Sequence, residues 1–241
     1  MFSRVASRAV RQARPVSANS VFLDDALVPL SAQGANIQPI MSFASEHPAR
    51  PQLGRPMTFE EWAAMPEDEP GELVDGRLEE EEVPDLVHEL VVSWLVHVLG
   101  TWLGREGFVF GSEAKYAVRA DRGRKPDVAV YLGSDGSHLP RRGIVRVPPD
   151  IVVEVVSPSP RDERRDRIEK MDEYAAFGVR YYWILDPSLQ SLEVFELLGA
   201  RYARAARATE GRMDPVPGCR DLVIELDDLW AELSRLGPSN E

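Results

Sequence analysis

A chain of 241 residues holds enough material for one domain with a full core and a tail. Its formal charge of −12 argues against indiscriminate adhesion to nucleic acid, and no apolar run approaches the roughly 20 residues that span a bilayer, so no membrane association is expected. The single cysteine, Cys219, excludes an internal disulfide and a cysteine-built zinc cluster, and accords with a reducing, cytoplasmic setting.

Residues 1–56 read as a disordered or linker tail, rich in Ala, Pro, Ser, Gln and Gly towards its end. Its first 20 residues hold four arginines and no acid, yet Phe2, Val5 and Val10 make a poor amphipathic face for a transit peptide. The folded domain is expected over 57–236, with 237–241 as a short C-terminal tail. Thr58 can cap a short helix in TFEEWAAMPED. GELVDGRLEEE reads as a hairpin around Asp75-Gly76. Residues 67 to 89 carry eleven acids against one base, Arg77. DLVHELVVSWLVHVLGTWLG, residues 85 to 104, reads as a largely buried helix.

Three strands are expected next: Phe108 to Val118, Asp127 to Leu132 and Asp150 to Val156. The segment between the first two, DRGRK, looks like a turn. Lys115, Arg119, Arg122, Arg124 and Lys125 oppose only Asp121 there, and Arg141, Arg142 and Arg146 follow with no acid among them. A phosphate-binding surface is compatible with this pattern, although solvated loops are the plainer reading. Ser159 as N-cap, Pro160 and Asp162 then predict a helix running to about Phe177, with Ile168, Met171 and Ala175 on its apolar stripe. Arg161, Arg164, Arg165 and Arg167 alternate with acids, as on a solvated helix face. RYYWILDP is a buried strand, QSLEVFELL and ARYARAARA a closing hairpin, and DLVIELDDLWAELSRL ends in a short helix. The order helix, three strands, helix, strand predicts an α/β fold: a mixed central sheet with helices on its faces.

Side chains alternate along a strand, so Asp150, Val152, Glu154 and Val156 share one face, as do Asp127, Ala129 and Tyr131. On neighbouring strands, Asp127 and Glu154 can converge. Two close carboxylates repel unless a cation sits between them, and a hard ion such as Mg²⁺ or Mn²⁺ suits oxygen ligands, with the Val155 backbone carbonyl as a further donor. Lys170 flanks the apolar stripe of the following helix and can bring its ammonium towards the sheet edge. The alternative is that Glu154 is merely a buried acid satisfied by Lys170 or an arginine.

The stretches ELVDGRL, VHELVVSWL, KPDVAVYL, PPDIVVEVVSPSPRDERRDRIEKMDEYAAFGVRYYWILDP and LEVFEL, within residues 57 to 198, resemble the Uma-type restriction endonucleases of the PD-(D/E)XK nuclease superfamily. The resemblance implies a restriction-endonuclease-like fold and metal-dependent hydrolysis of DNA phosphodiester bonds, with homodimers able to cut both strands. It assigns Asp127 and Glu154 to the metal and Lys170 to the lysine role, since the position two after the glutamate is Val156. It also brings in Glu72 as an accessory ligand and His88 as a neighbour of the site. His97, about half a turn off the face of His88, makes no pair with it. A non-catalytic binding or assembly module on the same fold is the rival, and action on RNA or single strands a third reading.

Overall fold

A computed structural model describes residues 53–66, 69, 71–79, 84–157 and 164–237. Most of the expected tail, the capping residues Ser159, Pro160 and Asp162, and Arg161 lie outside the described residues. The last tail residues that are described run along the first hairpin: Gly54 N–H donates to the Leu78 carbonyl and Leu78 N–H to that of Arg55.

Helix α1 (Phe59–Ala64) starts from a capping box, in which Thr58 and Glu61 each accept the other's backbone N–H at 3.1 and 2.8 Å. Strands β1 (Glu72–Val74) and β2 (Arg77–Glu79) form the expected hairpin. Asp75 and Gly76 both take positive φ, the conformation a tight two-residue turn requires. Helix α2 (Leu86–Leu103) is capped by Asp85 and ends at Gly104. By length and composition α2 can cross a bilayer, contrary to the expectation that no run would. In the fold it lays Val91, Leu95 and Leu99 against the sheet.

The expected single strand from Phe108 to Val118 is two: β3 (Phe108–Phe110) and β4 (Tyr116–Arg119), which belong to different sheets. The presumed turn DRGRK contains a strand, β5 (Arg122–Arg124), paired with both β4 and β1. Strands β6 (Val128–Tyr131), β7 (Ile151–Val155), β8 (Tyr181–Asp186), β9 (Ser191–Leu198) and β10 (Arg201–Ala208) complete a six-stranded sheet in the order β10-β9-β8-β7-β6-β3. Only β7 and β8 run parallel; the connection between them is long enough to carry a helix across one face. The mixed α/β architecture expected from the sequence is therefore present, with a smaller sheet, β2-β1-β5-β4, beside the large one.

The two faces of the large sheet differ. One is a dry apolar core of Val128, Val130, Ile151, Val153 and Val155 under α2 and the C-terminal helix α4 (Leu226–Leu233). The other carries Ala129, Tyr131, Val152, Val156, Tyr182 and Ile184 under helix α3 (Met171–Phe177). Gly178 ends α3 in the left-handed conformation.

The small sheet closes over Trp62, which is fully buried and donates its indole N–H to the Gly71 carbonyl at 3.0 Å. A Cβ at Gly123 would sit 2.2 Å from Trp62 Cζ3, so only glycine fits beneath that ring. Gly123→Ala is expected to destabilise the domain by about 1–3 kcal/mol through overpacking, read as a lower urea midpoint. An unchanged midpoint would contradict this packing.

Candidate active site

Pairing of Val128 with Val153 and of Ala129 with Val152 sets the register of β6 on β7. Extended by one residue, it puts Asp127 opposite Glu154, on the face covered by α3. Asp127 Oδ2 accepts the Val155 N–H at 2.7 Å, and its Oδ1 lies 3.1 Å from His88 Nε2 on α2. Val155 thus meets Asp127 through its N–H. The structure brings four of the expected residues, Asp127, Glu154, Lys170 and His88, to one end of β6 and β7.

Glu154 is 1 % exposed. Lys170 Nζ donates to its Oε2 at 2.7 Å and the Tyr174 hydroxyl to its Oε1 at 2.8 Å. Burial pushes the Glu154 carboxyl up to about 8; Lys170 opposes the rise, while Asp127 and Asp166 reinforce it by like charge. Lys170 also reaches Asp166 Oδ1 at 3.2 Å. Burial alone would lower its pKa, but Asp166 and Glu154 outweigh that and raise it, so the ammonium stays charged. His88 is raised too: desolvation works against its charged form and the Asp127 carboxylate overcomes it.

Lys170 ends a π-helical segment, Arg165–Lys170, that leads directly into α3. Its wider i→i+5 winding changes which residues face the sheet. The expected apolar stripe is not the buried one, since Ile168 is 56 % exposed. Asp166, Lys170, Glu173 and Tyr174 turn inward instead. The solvated arginine face is also corrected: Arg167 binds Asp186 Oδ2 at 2.9 Å and Glu193 Oε2 at 2.7 Å, and Arg165 lies beside Asp166, leaving Arg164 exposed.

Behind Lys170 lies a second buried ionic cluster, whose arginines come from the DRGRK segment expected as a solvated turn. Arg124, 1 % exposed, donates to Glu72 Oε2 at 2.5 Å and to Glu173 Oε2 at 2.6 Å. Arg122 joins Glu173 to Asp75. Lys115 and Lys125 are buried as well, with Lys125 held by Glu113 at 2.8 Å. Pulling such charges from water is tolerated only because each meets an opposite charge or a carbonyl. Glu72 takes the Lys125 N–H at 3.0 Å and, although burial raises it, Lys170 and Arg124 hold it down at about 2. The structure thus gives Glu72 the work of a counter-ion to Arg124.

Asp166, Tyr174 and Glu173 are not marked as site residues by the sequence, and Arg124 is marked only as part of a basic run. Asp166, Lys170 and Tyr174 follow one another at intervals of four, a helical stripe that marks one face, but its polarity assigns it to solvent.

Among the described residues no group of three or more His, Cys, Asp or Glu side chains is arranged to hold a metal ion. The expected side-chain donors are the carboxylates of Asp127 and Glu154, with the Val155 backbone carbonyl as the further expected donor. They fit a hard divalent ion in kind: all oxygen, opposed across two strands, with Glu154 raised in part by the charge of Asp127. Among the described residues each of the four carboxylate oxygens meets one hydrogen-bond or ion-pair partner.

A family model described as "Uma2: Putative restriction endonuclease" matches residues 56–227. A crystal structure from Anabaena variabilis described as "a putative nuclease" superposes with a TM-score of 0.59 at 23 % identity, covering 74 % of this chain and 99 % of that one. That likeness is one of fold. A search of curated proteins found no match.

Because the Glu72 carboxyl lies below its unfolded value, its contribution to stability is present at neutral pH and lost as the pH falls from about 4.5 to about 2. Glu72→Gln is expected to be less stable at pH 7 and to lose stability less steeply in acid, as measured by urea unfolding at several pH values. Identical pH slopes in the two proteins would remove the ionised Glu72 from the account.

Proposed function

The chain belongs to the Uma2 family of restriction-endonuclease-like proteins, and on that premise we propose that it is a divalent-metal-dependent endonuclease acting on DNA. The observation that carries this reading is Glu154: a carboxylate buried in the sheet, facing Asp127 and tied to Lys170. A carboxylate at this depth serves poorly as packing alone.

Asp127 and Glu154 would hold Mg²⁺ or Mn²⁺. When bound, such an ion neutralises charge on the scissile phosphate and acidifies a water for in-line attack. The chain's own groups do the rest. Lys170, kept protonated by Glu154 and Asp166, places a fixed positive charge where the phosphate gains negative charge. A protonated Lys170 cannot take a proton from water, so its part is electrostatic. Tyr174 fixes the rotamer of Glu154 through Oε1, and His88 with the Val155 N–H fixes that of Asp127. Cutting both strands of a duplex would take two copies of the chain. The lone buried Cys219 suits a cytoplasmic location.

One observation favours a second reading. The Glu154–Lys170 pair satisfies both groups without an ion, as a non-catalytic binding module on this fold would need.

Purified protein is expected to nick supercoiled plasmid only with Mg²⁺ or Mn²⁺. Asp127→Ala and Glu154→Ala should abolish nicking, and Lys170→Met should slow it by on the order of 100-fold. Retained nicking in either acid variant would refute the site. Failure of Mn²⁺ to bind in a calorimetric titration would favour the module.

A further inference from the structure

A cleft of about 940 Å³ opens between the turn after α1, the loop Gly111–Ala114 and the loop Leu139–Gly143. None of the groups assigned above lines it. Two of its walls are Tyr116, on β4 of the small sheet, and Tyr131, on the large-sheet face that packs against it. Asp127 immediately precedes β6, at the end of the strand opposite Tyr131. Phe110 pairs with Ala129, so the chain leaving β3 at Gly111 and Ser112 runs towards the Asp127 end of β6.

Its charge is opposite to that of the molecule. Arg141 and Arg142 stand exposed at its lip and make no ion pair or side-chain hydrogen bond among the described residues. From Ser137 to Pro149 the chain carries Arg141, Arg142 and Arg146 and no acid. The acid that lines the cleft, Glu113, is held by the Lys125 ammonium at 2.8 Å. On a chain of net charge −12, two free guanidiniums beside a neutralised acid form a local anion trap.

The cleft also offers a ring. Phe110 is half-buried, stacked on Phe108 with centroids 6.2 Å apart, and set edge-on to Tyr131 at 6.0 Å. Those contacts hold its plane while part of the ring faces the cleft. Guanidiniums that take phosphates next to an aromatic ring that takes a base are the recognition elements of a single strand, whose bases are free to stack. A duplex keeps its bases stacked on each other and gives such a ring nothing to bind.

We propose that this cleft receives a single-stranded stretch of polynucleotide, its backbone on Arg141 and Arg142 and a base against Phe110. The choice of polymer rests on the nuclease reading.

The test is fluorescence anisotropy of labelled oligo-dT, and of a duplex of equal length, with full-length protein in EDTA. Wild type is expected to bind oligo-dT more tightly than the duplex. Arg141→Glu/Arg142→Glu should weaken oligo-dT binding by at least about tenfold and reduce the slope of log affinity against log salt by about 1.4, two phosphates at about 0.7 each. The neutral pair Arg141→Gln/Arg142→Gln should show the same slope change, and both are surface variants whose folding is checked by thermal melts. Phe110→Leu should weaken oligo-dT by about tenfold and leave the duplex unchanged. Absent binding by wild type, an unchanged slope in the arginine variants, or a preference for duplex with no effect of Phe110 would each overturn the proposal. Plasmid nicking with Mg²⁺ is read separately. Intact oligo-dT binding without nicking removes the nuclease reading alone; nicking with arginine variants that bind like wild type removes the cleft alone.

Discussion

The site depends on one compensation: the Lys170 ammonium, out of water, between the carboxylates of Glu154 and Asp166. Removing one partner of a buried pair costs about 3–5 kcal/mol, while whole domains are stable by about 5–15. A charge of that weight cannot be placed loosely. The same necessity extends backwards from Lys170 through Glu72, Arg124 and Glu173 to Arg122 and Asp75. The small sheet, the large sheet and α3 are joined by this ionic lattice as much as by apolar contact.

The surroundings of Glu154 explain why its acidity is displaced. Tyr174 and Tyr182 pack at 5.5 Å, and Tyr182 on Tyr202 at 5.7 Å. Each ring excludes water while its hydroxyl finds an acceptor: Glu154 for Tyr174, the Asp166 carbonyl for Tyr182, the Val179 carbonyl for Tyr202. A tyrosine row of this kind is dry along its length and polar at its tips. It offers a carboxylate a low-dielectric bed with a few fixed donors, and in such a medium both the like charges of Asp127 and Asp166 and the opposite charge of Lys170 act strongly.

Much of this fold was legible in the sequence wherever a local rule decided the outcome. The Asp75-Gly76 turn, the Thr58 cap and the Gly178 stop depend on residues adjacent in the chain. The alternation along β7 was equally plain, and it puts Glu154 on the face where the structure has it. What escaped notice were charges whose partners are distant in sequence. Arg124 looks like a loop residue until Glu72 and Glu173, 52 and 49 positions away, are brought to it. The inward turn of Asp166 was hidden for a different reason: a polar residue reads as exposed by default, and the winding that reverses this leaves no mark in periodicity.

That winding has an evolutionary side. A π-helical stretch accommodates an extra residue in an otherwise regular helix, and each residue of an α-helix advances the chain by about 100° of rotation. Loss of one residue between Asp166 and Lys170 would let the segment relax to ordinary pitch, at the cost of rotating Asp166 out of step with Lys170 and Tyr174. Substitutions along this stretch are tolerable where side chains face outward, as at Ile168, whereas changes of length are not. The segment's length therefore works as a hereditary constraint in its own right, separate from the identity of any residue within it.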